Sequence, residues 1–481
     1  MWFKKQKTRL RFAPSPTGFL HIGNLRSAFF GYLLAKSWGG KFLLRIEDTD
    51  QKREVSGATT SLINVLKWIG VEFDEGPEIG GKYAPYIQSQ RLDIYNKLSA
   101  ELLATDKAYR CFCGEERLIE MRANQEAHKQ APRYDRRCRA LSPGEAEKRA
   151  QAGEKFVIRQ KLPLDGEIIV HDELRGDIKF ALTDLDDHVL VKSDGVPTYQ
   201  FANIVDDHLM KISHVTRGDE WLPSFPKNIL LYHAFNWTPP KFIHLPLILN
   251  KEGGGKLSKR QGDVFVEQYK DKGYLPEAFV NFCALLGWHS KDDQEIWSLK
   301  ELKKSFSIEG MGASPAVFDL EKLDYFNSYY LRRKSLTELT HLCEPYLKAA
   351  GRETSDQAKL EKFVSLAQER MKKLADIVEL TEFLFTKPSY DPELLRWKTL
   401  TLAEAKQNLA LLEKQLEKIS EKNWTQENLE KIILSWIKEM SAKNGDYLWP
   451  LRVALTGLKN SPGPFEVAWA LGKEESLRRL K

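Results

Sequence analysis

The chain lacks what would tie it to a membrane or to the cell exterior. No apolar run approaches the roughly 20 residues of a bilayer-crossing helix, so no membrane span is expected. Cysteine is scarce, at five in 481 residues. The odd, closely spaced set speaks against a disulfide-stapled secreted scaffold and suits a reducing cytoplasm. The basic stretch Met1 to Arg9 lacks the apolar core of a secretory signal. A dominant charge is also missing, because 73 Lys and Arg oppose 67 Asp and Glu for a net +6. Any nucleic-acid footprint must therefore be built from local patches. Internal repeats and low-complexity tracts are absent. What remains is 42% hydrophobic, ample for packed cores, in a length that suits about three domains.

Two segments carry most of the chemistry. The first is Pro14-Ser15-Pro16-Thr17-Gly18-Phe19-Leu20-His21-Ile22-Gly23-Asn24. Leu10-Arg11-Phe12 before it reads as a short buried strand, and the Pro/Gly run is turn chemistry. From Leu25 the apolar positions Leu25, Ala28, Phe29, Tyr32 and Leu33 make one helix face. His21 and Asn24 thus fall at a strand-to-helix junction, where backbone N–H groups and the helix dipole favour an anion. Gly18 and Gly23 permit close approach of a nucleotide. A lone His-x-Gly would read as a helix cap, but an eleven-residue run is far more specific.

The second segment is Lys256-Leu257-Ser258-Lys259-Arg260, preceded by Gly253-Gly254-Gly255. Lys256 and Lys259 are point charges suited to a leaving pyrophosphate. The glycines give the loop the mobility of a lid. An isolated Lys-x-x-Lys would be a solvated surface; its place downstream of the first segment changes that reading. Together the two can hold a nucleoside triphosphate from both sides, as sites that activate carboxylic acids do.

These segments resemble the two signatures of the class I aminoacyl-tRNA synthetases. Arg11-Phe12-Ala13-Pro14-Ser15-Pro16-Thr17-Gly18, Arg45-Ile46-Glu47-Asp48-Thr49-Asp50 and Ser193-Asp194-Gly195-Val196-Pro197-Thr198-Tyr199 are similar to the bacterial-type glutamyl-tRNA synthetase group. So are Asn203-Ile204-Val205-Asp206-Asp207-His208 and Pro450-Leu451-Arg452-Val453-Ala454-Leu455-Thr456-Gly457. The resemblance spans nearly the whole chain; Asn24 and Leu257 depart from the commonest superfamily residues. It implies an ATP site of Pro14, Thr17, Gly18, His21, Gly23, Asn24, Lys256, Ser258, Lys259 and Arg260, with His21, Lys256, Lys259 and Mg²⁺ neutralising charge on the phosphates.

It also implies a glutamate site at Arg11, Ser15, Glu47, Tyr199, Asn203, Arg217 and Trp221. The chemistry agrees: guanidinium forks match a carboxylate, and Glu47 can receive the ammonium. A glutamine pocket would leave a second buried guanidinium without an anion, so Arg217 favours glutamate. The implied activity is ATP-dependent attachment of L-glutamate to tRNA(Glu) through glutamyl-adenylate, releasing AMP and pyrophosphate. Alternatives are an enzyme that also charges tRNA(Gln), the queuosine-modifying paralogue, a small-molecule adenylyltransferase, or a non-catalytic RNA-binding descendant. The long helical end opposes the paralogue, and the intact His21 and Lys259 oppose the non-catalytic reading. A cytoplasmic monomer is expected.

The fold class expected is α/β: a doubly wound, Rossmann-like parallel-sheet catalytic domain, an inserted α+β acceptor-binding domain, and an all-α anticodon-binding region. The boundaries expected are 1–108 and 205–260 for the two catalytic halves, 109–204 for the insertion, 261–334 for a stem-contact domain and 335–481 for the helical region. Lys41 to Ile46 reads as a strand ending in acidic residues. Ser142-Pro143-Gly144-Glu145 and Ser335-Leu336-Thr337-Glu338 have the form of capping boxes. Three helical stripes follow: Leu360 to Val378, Leu402 to Ile419, and Leu429 to Met440.

Within the insertion, Cys111, Cys113 and Cys138 leave two readings open. Thiolates in Cys-x-Cys spacing can hold tetrahedral Zn²⁺, or the three can be reduced and metal-free. Some relatives complete their set with a histidine where this chain has Ala140. Tyr134, four residues before Cys138, matches a tyrosine that serves in the queuosine-modifying synthetases. Arg133, Arg136, Arg137 and Arg139 surround that tyrosine and read as a phosphate clamp. Cys283 and Cys343 sit in apolar helical contexts and read as core. Arg370 and Lys372 are the anticodon-region candidates.

Overall fold

The computed structural model describes residues 7–50, 53, 55–251, 254–255, 257 and 264–481. The chain forms two compact units, Met1–Tyr269 with Phe279–Leu320, and Lys270–Ala278 with Glu321–Lys481. Among the described residues no helix is long and apolar enough to cross a membrane.

The strands of the first unit are β1 (Arg9–Phe12), β2 (Lys41–Leu44), β3 (Ala108–Cys111), β4 (Val157–Gln160), β5 (Glu167–Asp172) and β6 (Gly176–Ala181). They continue with β7 (Val189–Val191), β8 (His214–Gly218), β9 (Lys241–Leu245), β10 (Ile248–Asn250) and β11 (Ala316–Phe318). β1 pairs in parallel with β2, and β8 with β9. Ser213, just before β8, donates its N–H to the Arg9 carbonyl of β1 at 2.9 Å, so the two pairs lie side by side. β5 joins β9 in parallel through Asp172 opposite Phe242, and β6 adds antiparallel. A separate antiparallel sheet, β3-β4-β7, falls between residues 108 and 191. The parallel-sheet architecture expected from the sequence is present.

Helix Ile22–Ser37 connects β1 to β2. Its apolar positions predict one buried face, but Ile22, Arg26, Phe30, Leu34 and Ala35 are buried as well. The reason is a further partner: helix Leu299–Ser305 packs against it in addition to β1 and β8. Phe30 meets Phe306 edge-on there, at 4.9 Å between ring centres. Gly31 permits the close approach to the sheet, since a Cβ would lie 2.7 Å from Thr216 Oγ1 of β8. The strand expected over Lys41 to Ile46 ends at Leu44, and Ile46 makes its own bridge to Ile87.

The second unit is helical. Helix Gln357–Ala367 stops where the first stripe continues; Met371 and Leu374 are buried from the turn that follows, and the next helix is Asp376–Phe385. Helix Leu402–Glu417 buries Ala405, Leu409, Leu412 and Leu416 as expected, behind a complete Thr401–Glu404 capping box. Helix Gln426–Glu439 buries Leu429, Ile433 and Ile437 and leaves Ile432 and Met440 exposed. Of the two capping boxes expected, Ser142 and Ser335 each accept from the N–H three residues on. The Glu338 carboxylate turns to Lys334 at 2.7 Å. Each fully buried leucine of this core contributes about 1.5–3 kcal/mol by transfer from water.

Candidate active site

The turn after β1 delivers His21 as the N-cap of helix Ile22–Ser37, with Nδ1 accepting from the Gly23 N–H at 3.1 Å. The helix-cap role is present, and it does not conflict with the functional one. An accepting Nδ1 puts the ring proton on Nε2, the nitrogen able to donate to a phosphate. His21, Asn24, Glu220, Ile248 and Leu257 line a cavity of about 250 Å³. Arg26 braces its floor, donating to the carbonyls of Pro246 and, at 3.2 Å, Leu286. Burial pushes the Arg26 guanidinium down to about 10. Lys256, Ser258, Lys259 and Arg260 lie outside the described residues. Leu257, between them, donates its N–H to Ile248 at 3.0 Å and reaches the His21 cavity.

A second cleft, of about 380 Å³, shares His21 and Asn24 with the first. It brings Pro14, Ser15, Thr17 and Gly18 together with Arg11, Tyr199, Arg217 and Trp221. Tyr199 stacks on Trp221 at 4.7 Å between ring centres. Ser15, Thr17, Tyr199 and Trp221 also border a wider cavity of about 750 Å³ that reaches Glu47 and Lys192. Asn203 stands behind these walls. Its Nδ2 donates to Glu47 Oε1 at 2.8 Å, and its Oδ1 accepts from Arg11 at 3.4 Å.

Beneath the cleft lies a buried ionic cluster that the sequence reading only half identified. Arg45, fully buried, pairs with Glu47 and Asp207 at 2.9 Å each and with Asp206 at 3.6 Å. Arg91 pairs with Asp206 at 2.7 Å, and Arg11 with Asp207 at 3.0 Å. Gln88 donates to Asp206 at 3.0 Å, and Tyr95 does so at 2.8 Å. Three guanidinium groups therefore face three carboxylates. Glu47 is the least satisfied: Oε1 accepts from Arg45, Gln88 and Asn203, while its buried Oε2 has no partner among the described residues. Burial raises the Glu47 carboxyl to about 7 despite Arg45. A buried acceptor aimed at no donor is what an incoming ammonium would complete.

Arg217 is the opposite case. Its Nε donates to His244 Nε2 at 2.9 Å, and among the described residues no carboxylate pairs with it. Burial lowers the group to about 10. A buried cation with only neutral partners is costly unless an anion joins it.

In the stretch 109–204 the three sulfurs of Cys111, Cys113 and Cys138 lie within 4.8 Å of one another. The Tyr134 hydroxyl sits 3.2 Å from Cys111 Sγ and 3.5 Å from Cys113 Sγ. Four zinc-bound ligands with Zn–S near 2.3 Å would stand about 3.8 Å apart, so this constellation is compatible with zinc. The surrounding arginines are mostly committed within the protein. Arg133 reaches Asp184 at 3.1 Å, Arg139 reaches Asp187 at 2.9 Å, and Arg136 donates to the Leu185 carbonyl. Arg137 is exposed. A clamp of four free arginines is therefore not what the fold presents.

The parallel strands and the histidine at the strand-to-helix junction are the features expected of a class I aminoacyl-tRNA synthetase. Residues 7–325 match the family described as "tRNA synthetases class I (E and Q), catalytic domain", and residues 338–481 match "Anticodon binding domain". The chain belongs to this class I (E and Q) tRNA synthetase family. It is 45% identical over 477 residues to the glutamate–tRNA ligase of Clostridium botulinum strain Hall, covering 99% of this chain and 97% of that one. To the glutamate–tRNA ligase of Clostridium kluyveri it is 44% identical, with the same coverage. The crystal structure of a glutamate tRNA ligase from Elizabethkingia meningosepticum in complex with its amino acid superposes with a TM-score of 0.91 at 39% identity, covering 98% of both chains. That of the glutamate-tRNA synthetase from Elizabethkingia anophelis gives 0.90 at 40% identity, covering 98% of this chain and 99% of that one.

Proposed function

We propose that this enzyme attaches L-glutamate to tRNA(Glu) at the expense of ATP, through glutamyl-adenylate. The observation that carries the choice of amino acid is Arg217, a buried guanidinium with no carboxylate partner among the described residues, opening on the cleft that also holds His21. The substrate side-chain carboxylate supplies the missing anion to Arg217, and its ammonium supplies the missing donor to Glu47 Oε2. Arg11, Ser15, Tyr199, Asn203 and Trp221 orient it. Glutamine would leave the Arg217 charge uncompensated.

The α-carboxylate is already ionised and attacks the ATP α-phosphorus without a general base; pyrophosphate leaves. Catalysis is then positioning and charge neutralisation. His21 at the helix N-terminus, with Lys256 and Lys259, meets the phosphates, while Pro14, Thr17, Gly18, Gly23, Asn24, Ser258 and Arg260 shape the ATP site. Mg²⁺ bound to ATP adds positive charge there. A terminal ribose hydroxyl of tRNA, the 2′ by class, then attacks the adenylate carbonyl, and AMP leaves. Residues 109–204 seat the acceptor end, 261–334 contact the stem and 335–481 read the anticodon. Cys111, Cys113, Tyr134 and Cys138 hold Zn²⁺, which would cross-link the insertion. The enzyme works as a cytoplasmic monomer.

The test is charging of purified tRNA(Glu) and tRNA(Gln) with labelled glutamate and ATP. Charging of tRNA(Glu) alone is expected. Charging of both identifies an enzyme that does not discriminate between them; charging of neither by folded protein refutes the assignment.

A further inference from the structure

We infer that His244 and Asp172, with Asn228, are positioning residues for the substrate's acidic side chain: they aim Arg217 at the cleft through neutral acceptors and leave its charge for the ligand. The inference rests on the reading of Arg217 as the carboxylate receptor. Arg217 Nε donates to His244 Nε2 at 2.9 Å. A ring nitrogen that accepts carries no proton, so the imidazole proton sits on Nδ1, and Asp172 Oδ2 takes it at 2.8 Å. Asp172 cannot drift. Oδ2 also accepts from the His244 N–H at 3.0 Å, and Oδ1 from the N–H groups of Leu174 and Arg175 at 3.0 and 3.1 Å. With the Asn228 amide turned so that its oxygen faces Arg217, it accepts from Nη1 at 3.0 Å and Nη2 at 3.2 Å and donates to the Ser224 carbonyl. The guanidinium also lies over the Phe242 ring, 5.0 Å from its centre.

His244 and Asp172 are wholly inaccessible. Burial lowers the His244 pKa, consistent with the neutral ring this geometry requires. The choice of imidazole has a physical reason. Arg11 and Arg45 in the adjoining cluster are held by carboxylates, which orient them and also neutralise them. A carboxylate in the place of His244 would orient Arg217 equally well and cancel the attraction that selects an acidic substrate. A neutral acceptor fixes direction without spending charge. Asp172 sits one bond further back, where it sets the tautomer and does not touch the guanidinium.

The experiment measures KM for glutamate and for ATP in pyrophosphate exchange with tRNA(Glu) present, on the full chain. His244→Leu should raise the glutamate KM by about tenfold or more with the ATP KM within about twofold. His244→Gln, whose amide oxygen can still accept from Arg217, should recover most of that loss. Asp172→Asn should show the same split in milder form; should His244→Leu fail to fold, Asp172→Asn and His244→Gln decide. Equal impairment of both KM values by Leu and Gln at position 244 would mean general structural damage and overturn the inference. Arg217→Ala separates the two levels. If it leaves the glutamate KM unchanged, the pocket reading itself fails. If it raises that KM while the His244 and Asp172 variants do not, only the positioning role fails.

Discussion

If Glu47 receives the substrate ammonium as proposed, glutamate binding should depend on pH, in a direction that its surroundings dictate. Its carboxyl is raised to about 7 because burial, helped by the neighbouring Asp207 carboxylate, outweighs the pull of Arg45 and Arg11. Only the ionised form can take the substrate ammonium. At pH 6 about one site in eleven is ionised, and at pH 8 about ten in eleven. Where KM tracks binding, the glutamate KM should fall about tenfold between these limits, equivalent to about 1.4 kcal/mol. The sign for folding is opposite. The native state holds this proton between the usual carboxylate range and about 7, so Glu47 subtracts stability as pH rises through that window. Glu47→Gln provides the control. Its Oε1 can still accept from Asn203 and Gln88, but its amide N–H groups would face the ammonium. The glutamate KM should then be high and flat across the range, at or above the wild-type value at pH 6. The assay is the glutamate KM at saturating ATP and tRNA(Glu) at pH 6, 7 and 8. A wild-type KM that does not change, or a Gln variant that keeps the slope, would refute the reasoning.

Lys259→Ala should slow adenylate formation by about 100-fold or more with tRNA affinity nearly unchanged in filter binding; lost tRNA binding with normal adenylation would contradict its role. Elemental analysis should give one zinc per chain, and Tyr134→Phe should release that zinc to a chelator faster than wild type; protein prepared without chelators and free of zinc would end the metal proposal. Leu412→Ala, at a fully buried position of the helical unit, should cost about 2–5 kcal/mol, read as a lower denaturant midpoint for that unit.

The junction histidine was legible because turn chemistry, helix periodicity and a rare residue run agree over a few adjacent positions. The sheet's parallel pairing followed from strand–helix alternation. What stayed hidden needed contacts between distant segments. Arg45, Gln88, Arg91, Asp206 and Asp207 form one cluster from three separate stretches, and only Glu47 among the cluster's carboxylates was assigned a role in advance. His244 sits in the apolar run Phe242-Ile243-His244-Leu245, where a lone histidine reads as core. The available signal was that a polar side chain in a strand buried on both faces must have a partner. Helix Ile22–Ser37 was read as one-faced because Leu299–Ser305, its second cover, lies far along the sequence. The arginines around Tyr134 looked like a clamp until Asp184 and Asp187 were placed against them.

Asp172 is the last residue of β5, and its register with Phe242 is where that hairpin meets the parallel strands. On the proposed reading, the stretch 109–204 thus supplies the carboxylate that holds His244 behind the amino-acid pocket. Chimeras that transplant this stretch between relatives, or shorten it by loop deletion, would carry off part of the substrate filter along with the surface they mean to exchange. On that reading, a graft ending before residue 172 should keep the filter whole, and one that replaces it should alter the proposed RNA docking and amino-acid choice together.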